Sequence, residues 1–182
     1  MKKIIVCTIL CCSFLLTFGQ NQNQKWYNHG IGVRAEISSN QHSSLGLDYV
    51  HFFYPHFGMD ILVQTEFINH MEIAGMVQYN QYFPGLTPRL RWYAGGGLKY
   101  HRKIKIGDDG VRMPGNVKIA AGPVAMIGMG YSFKKLPLNI SIDWRPTWNI
   151  IWINRDKNCA TDIMLDLTQV GVTLRFITNR CM

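Results

Sequence analysis

The segment Leu138–Arg145 alternates between apolar and polar residues at every position. One set of alternate positions holds Leu138, Ile140, Ile142 and Trp144, and the other holds Asn139, Ser141, Asp143 and Arg145. A period of two residues is typical of a β-strand with one apolar and one polar face. The same rhythm predicts strands at about 29–37, 44–53, 58–68, 72–83, 89–101, 121–133, 138–149 and 164–176.

The lengths of these strands and of their connections indicate a barrel. Each strand is close to or above the roughly 9–11 residues that a tilted strand needs to cross a bilayer. Compact turns at one end alternate with connections at the other end, of which 102–120 and 150–163 are the longest. This is the pattern of membrane barrels with an even number of strands. The sequence therefore predicts one all-β domain over 29–176, an eight-stranded antiparallel up-and-down transmembrane β-barrel.

The amino-terminal segment predicts export. Lys2 and Lys3 precede an apolar run, Ile4–Phe18, that is short for a bilayer span, and Gly19 offers a small residue at a cleavage point. We therefore expect a signal peptide over 1–19, with an uncleaved anchor as the alternative. A polar leader over 20–28 and a tail over 177–182 flank the barrel. Exported through this signal, the barrel is expected in the outer membrane.

The two faces of the predicted strands differ in the size and charge of their side chains. The apolar face carries many large side chains and no charge, which would strain the narrow interior of an eight-stranded barrel. The other face mixes glycines with charges of both signs, which can pair with one another when buried. We expect an ion-pair network that plugs the lumen, formed by Arg34, Glu36, Asp48, Asp60, Glu66, Arg91, Lys99, Asp143, Arg145 and Arg175. The alternative is a soluble barrel whose charged face meets water.

Aromatic residues concentrate near both ends of the predicted strands. Rings with one polar edge settle at the headgroup level of a bilayer and form belts there. The expected belt residues are Tyr54, Phe83, Trp92, Phe133, Trp148, Trp152 and Phe176. The alternative is the ordinary preference of aromatic residues for strands.

Three segments carry a resemblance to a known family, namely Trp92–Gly97, Ile127–Phe133 and Leu136–Pro146. With them, the chain resembles the small OmpA/OmpX-type barrels and the β-barrel proteins of Bacteroidota outer membranes. The resemblance implies an eight-stranded outer-membrane barrel, often without an assigned activity. The last strand, with Val170, Val172, Leu174 and Phe176, also resembles the carboxyl-terminal signal read by the barrel-insertion machinery, although 177–182 follows Phe176.

The sequence offers weak candidates for catalysis and for metal binding. His42, Ser43 and Ser44 are the nearest match to the base and nucleophile of a lipid A deacylase, but no carboxylate is placed to orient His42. His51 and His56 flank a turn, and His29, His70 and His101 lie at strand ends, without the spacing of metal ligands. We therefore expect no catalytic, cofactor-binding or metal-binding residues.

The expected function is a structural or surface-interaction role in the outer membrane. A lipid-modifying enzyme and a narrow channel are the alternatives. The net charge is +8, or +6 without Lys2 and Lys3, but the chain has no nucleic-acid recognition motif. Outer-membrane lipids are the expected partners, and basic residues in the two longest connections could favour lipopolysaccharide phosphates, namely Lys103, Lys105, Arg112, Lys118, Arg155 and Lys157. Cys159 and Cys181 are expected to stay unpaired.

Overall fold

The computed structural model describes residues 27–38, 43–66, 70–83, 86–106, 112–155 and 158–178. At residues 66, 70, 103–106, 112–118, 151–155 and 158–162 the structure describes the backbone but not the side chains. The predicted signal peptide 1–19, most of the leader 20–28 and the last part of the tail 177–182 lie outside the described residues.

The described residues contain ten β-strands, and all of them belong to one antiparallel sheet. Within that part of the chain, no helix is long and apolar enough to cross a membrane. The strands are β1 His29–Ile37, β2 Ser44–Phe52, β3 Phe57–Glu66, β4 His70–Tyr82, β5 Leu90–Ile106, β6 Arg112–Ser132, β7 Leu138–Trp144, β8 Thr147–Arg155, β9 Asn158–Asp166 and β10 Val170–Thr178.

Two pairs of consecutive strands each form one continuous wall. Strands β7 and β8 both pair with β6 in a single register and are separated by Arg145 and Pro146, where the proline lacks a backbone donor. Opposite these two residues, β9 and β10 are separated by the three residues 167–169. The extra residue makes a β-bulge, at which the Arg145 N–H donates to the Gln169 carbonyl at 2.9 Å.

The sheet closes on itself: β1 pairs with β2 on one side and with β10 on the other, and β5, at the end of the row that runs through β2, pairs with β6 in the row that runs through β10. Counting β7 with β8, and β9 with β10, as single walls, the described residues form a closed eight-stranded barrel in which neighbours in the chain are neighbours in space. Closure removes unpaired strand edges over the common height of the walls. The predicted all-β, eight-stranded, antiparallel up-and-down barrel is confirmed.

The predicted long connections over 102–120 and 150–163 are wrong. Strand β5 continues to Ile106 and pairs with β6 from Arg112 onward, and β8 and β9 pair up to Arg155 and Asn158. Continued pairing satisfies the backbone N–H and C=O groups that a long loop would leave to water. The two hairpins therefore extend past the ends of β1 and β4, at Ile37 and His70, on the side of the barrel opposite the short turns.

Apolar side chains cover the outside of the barrel. Ile31, Leu47 and Leu98 are 64%, 68% and 71% exposed. Arg34, on the opposite face of the strand that carries Ile31, is 1% exposed. Along β10 the exposure alternates strictly, with every second residue buried. An apolar groove of about 340 Å³ on the outer surface is lined by side chains of β5, β6, β7 and β10. The buried side chains of the protein thus lie along the barrel axis and include many polar ones.

Candidate functional site

A cluster of charged side chains occupies the middle of the barrel interior. Its members, here called the central cluster, are Arg34, Glu36, Asp48, Asp60, Asp143, Arg145 and Arg175, and all are buried. On β1, the Arg34 guanidinium donates to both carboxylate oxygens of Asp143 at 2.8 and 2.7 Å and to Glu36 at 2.9 Å. Paired N–H groups on one carboxylate make a strong, directional contact. Because Asp143 belongs to β7, this contact joins two walls that are not adjacent, with β10 between them.

Arg145 connects opposite walls of the barrel. It follows β7 at the bulge, and its Nε donates to Asp143 at 2.8 Å. Its Nη2 donates to Asp60 of β3 at 3.2 Å. In the order of the walls, β3 lies four positions from β7, which is the largest separation that a ring of eight walls allows. The Arg145–Asp60 contact therefore crosses the full width of the lumen.

Arg175 of β10 completes the central cluster. Its Nε and Nη2 donate to the two carboxylate oxygens of Asp48 on β2, with Nη2 at 3.0 Å. Its Nη1 donates to the Ser141 hydroxyl at 2.8 Å, and Nη2 also approaches Asp60 at 3.7 Å. Each of the three arginines thus bridges at least two walls, and each faces more than one carboxylate or hydroxyl. Such mutual pairing offsets the cost of burying the charges.

Glycine provides the space that this cluster needs. A Cβ added to Gly171 would overlap the Arg34 guanidinium, and one added to Gly128 would lie 2.6 Å from the Asp143 Cβ and 2.7 Å from the Tyr93 ring. The alternation of the strands sends these glycines inward beside the charged residues. Their lack of a side chain is what admits three arginines into a narrow barrel.

A second polar group lies between the central cluster and the extended hairpins. Lys99 of β5 forms a 2.9 Å ion pair with Glu72 on the adjacent β4 and donates to Gln169 at 3.2 Å. Gln169 sits at the bulge between β9 and β10, three walls from β5. Beside it, Asp166 accepts from the Ser38 hydroxyl at 2.9 Å and from Gln169 at 3.2 Å. The interior is therefore bridged at two heights.

At the end with the short turns, the interior is apolar rather than charged. Tyr27, Val50, Phe52 and Ile177, here called the end layer, are all buried, and the Tyr27 and Phe52 rings meet edge to face with centroids 5.0 Å apart. The sequence interpretation missed this layer because it took every inward position as small or polar. Val50 and Phe52 share the alternate positions of Asp48, so counting along β2 would have placed them inside.

Of the predicted network, Lys99 lies in the second polar group and Arg91 lies apart from both groups. Arg91, at the start of β5, donates to the Asn80 side chain at 2.8 Å, and its guanidinium lies over the Tyr82 ring, 4.2 Å from the centroid. A cation held over an aromatic face is a recognised stabilising contact. The side chain of Glu66 lies outside the described residues.

The predicted belt residues lie at both ends of the barrel. Tyr54, Phe133 and Phe176 are exposed at the short-turn end, and Trp148 is 44% exposed on the far side of the bulge. Phe83 and Trp92 are partly exposed, and the Trp92 ring lies 5.9 Å from that of Tyr79. The side chain of Trp152 lies outside the described residues. Trp144 also faces outward, and its indole N–H donates to the Leu167 carbonyl in the bulge at 2.6 Å.

Of the candidate catalytic residues, Ser43 and Ser44 lie at the opposite end from the short turns. His42 is outside the described residues. Ser43 is exposed, whereas Ser44 is buried and accepts a 3.4 Å hydrogen bond from the Gln64 amide. Ser44 therefore faces the barrel interior. Within the described parts of the chain, no group of three or more histidine, cysteine, aspartate or glutamate side chains is arranged to hold a metal ion.

Comparison with known proteins finds the same architecture in solved structures. The N-terminal β-barrel domain of Pseudomonas aeruginosa OprF matches with a TM-score of 0.56 and 15% sequence identity, covering 85% of this chain and 100% of that one. A de novo designed transmembrane β-barrel matches with a TM-score of 0.52 and 14% identity, covering 86% of this chain and all of the designed one. No family model matches the sequence. No curated protein matches it either.

Proposed function

We propose that this protein is an integral outer-membrane β-barrel with a closed, polar interior and a structural or surface-interaction role. The observation that carries the proposal is the Arg145–Asp60 contact across the full width of the barrel. A solute travelling along the axis would have to break this contact and strand both charges, which is costly in a confined interior. A closed barrel of this kind anchors its extracellular parts instead of conducting.

The inverted distribution of side chains supports a membrane location. In water, an outer surface formed by residues such as Ile31, Leu47, Leu98 and Val172 would be an extensive exposed apolar patch, which soluble proteins avoid. In a bilayer, the same surface meets hydrocarbon. The likeness to the OprF barrel and the predicted signal peptide point to the outer membrane in particular.

Closure at several heights argues against the narrow channel. The central cluster, the Lys99–Glu72–Gln169 group and the end layer each cross part of the interior. A planar-bilayer recording of the purified, refolded barrel tests this closure, with a refolded porin as the positive control. We expect no stable conductance steps from this protein. Large, stable steps at the frequency seen with the porin would overturn the closed-lumen proposal.

The membrane location is tested separately. We expect the expressed protein in the outer-membrane fraction, extracted only by detergent, with a gel mobility that shifts on heating because a closed barrel resists unfolding by detergent. Release into the soluble fraction without detergent would contradict the location, whatever the recording shows.

The surface role belongs to the two extended hairpins, β5–β6 and β8–β9, which continue past the ends of β1 and β4. The sequence places basic residues along them, including Lys105, Arg112 and Arg155. We infer that these cations meet lipopolysaccharide phosphates, an attraction that salt weakens. Replacing the three by glutamate should reduce binding to lipopolysaccharide vesicles at low salt. Unchanged binding would remove this partner from the proposal.

A further inference from the structure

Two histidines and a tyrosine meet on the outer surface at the short-turn end, in a place that the sequence pattern did not reveal. The register of β1 with β2 sets His29 directly opposite His51, and Tyr49 lies two residues before His51 on the same face. The Nδ1 atoms of the two histidines are 3.1 Å apart, and the Tyr49 Oη lies 2.9 Å from the His29 Nδ1. All three side chains are half-buried.

A hydrogen-bond network alone leaves this group incompletely satisfied. A neutral imidazole nitrogen offers either one hydrogen or one lone pair. The His29 Nδ1 nevertheless has two polar atoms within 3.1 Å, the His51 Nδ1 and the Tyr49 Oη. When the His29 Nδ1 forms a well-aligned hydrogen bond with one of these atoms, it cannot form an equally good one with the other. A cation that accepts lone pairs from both nitrogens and from the phenol oxygen would satisfy all three atoms together.

The separation of the two nitrogens suits a shared metal ion. Nitrogen ligands lie about 2.0–2.1 Å from zinc, so two of them are about 2.9 Å apart at a right angle and about 3.4 Å apart in a tetrahedron. The observed 3.1 Å falls between these values. The rings are stacked, with centroids 4.5 Å apart and planes 25° apart. Each ring must turn about its Cβ–Cγ bond to aim its lone pair at a shared ion, and this torsion is a soft one.

The geometry points to a binding site for a borderline divalent transition-metal ion, such as Cu²⁺ or Zn²⁺, formed by His29 Nδ1, His51 Nδ1 and Tyr49 Oη. Imidazole is a preferred ligand of these ions. The site lies on the outer face at the level of the short turns, beside the exposed ring of Phe53. It is thus accessible from outside the barrel and separate from the lumen, so it stands or falls separately from the proposed function.

Copper binding to the refolded barrel in detergent tests the site, with Cys159 and Cys181 alkylated so that thiols do not contribute. Cu²⁺ is the probe because it binds tightest among the first-row divalent ions. We expect one Cu²⁺ per barrel and an electron paramagnetic resonance spectrum with hyperfine splitting from two nitrogens. His29→Ala and His51→Ala should each abolish stoichiometric binding, and Tyr49→Phe should weaken it.

The matched control is His56→Ala, which removes a histidine from the neighbouring turn, where its Nδ1 donates to the Asn80 carbonyl. This variant should keep full Cu²⁺ binding. His51→Gln provides a second, milder variant, and heat-shifted gel mobility shows that each variant is folded. If the folded His29 and His51 variants still bind one Cu²⁺ per barrel, or if His56→Ala loses binding to the same degree, the metal site is refuted.

Discussion

The two faces of β10 follow opposite rules. Outward, Val170, Val172, Leu174 and Phe176 are 42–52% exposed. Inward, the alternate positions hold Gly171, Thr173, Arg175 and Ile177, all buried. In a water-soluble sheet the apolar face is the buried one. β10 has the usual alternation of apolar and polar residues, but here the apolar face is the exposed one and the face that carries Thr173 and Arg175 is buried.

This difference shows which interactions stabilise each side of the wall. The outer face of β10 is exposed, and in the proposed membrane location it meets hydrocarbon, which would accept any apolar side chain and no charge. The inner face depends on specific partners, because Arg175 reaches Asp48 and Ser141 while Gly171 leaves room for Arg34. Substitutions along this single strand therefore separate the two rules, since every variant shares the same backbone.

The largest effect is expected from Arg175→Met. The change leaves the buried Asp48 carboxylate without the guanidinium that binds both of its oxygens. Removing one partner of a buried ion pair costs about 3–5 kcal/mol. Urea titration of the barrel in lipid vesicles, followed by tryptophan fluorescence, should show that loss in the free energy of unfolding. Adding Asp48→Leu should recover much of it, because an apolar pair replaces the buried charges. Fully additive losses in the double variant would contradict this pairing.

A slightly smaller effect is expected from Val172→Arg on the outer face. Val172 lies between Ala35 and Ile142 in the sheet, and a charge on the lipid face near the middle of a bilayer costs about 2–4 kcal/mol. The same titration in vesicles measures it, and Val172→Leu is the control, expected within about 0.5 kcal/mol of the parent. If arginine were as harmless as leucine at this position, the outer face would be in water and the soluble barrel would be the better description.

The sequence predicted this division of faces because alternation is a local property. The bounds of β1 and β2 match the predicted strands to within a residue, and the outward residues of β10 are the alternating apolar residues of the last predicted strand. The alternation does not predict how many residues a pair of adjacent strands continues before the chain turns. The predicted strands at 89–101 and 138–149 therefore end earlier than β5 and β8 do, and the second of them runs through Pro146, where the structure has a break between β7 and β8.

Contacts across the barrel could not be predicted in the same way. Whether Arg145 meets Asp60 depends on the stagger of all the walls between β7 and β3, and each wall adds its own register. The same limit hid the approach of His29 to His51, which depends on the register of one hairpin. The end layer is also not evident from residue type, because apolar residues such as Phe52 and Ile177 are expected on the outer face. Only their even spacing from Asp48 and Arg175 indicates that they point inward.

The smallest of the three losses on β10 is expected from Gly171→Ala, and it tests the space inside rather than the charge. The added Cβ would overlap the Arg34 guanidinium and push it from its two contacts with Asp143. Overpacking of this kind costs about 1–3 kcal/mol. Gly75→Ala is the matched control, because nothing lies within 4 Å of its added Cβ on the outer face of β4, and its free energy of unfolding should change by less than about 0.5 kcal/mol. Equal losses for the two glycines would mean that backbone flexibility, not room for Arg34, makes glycine necessary at position 171.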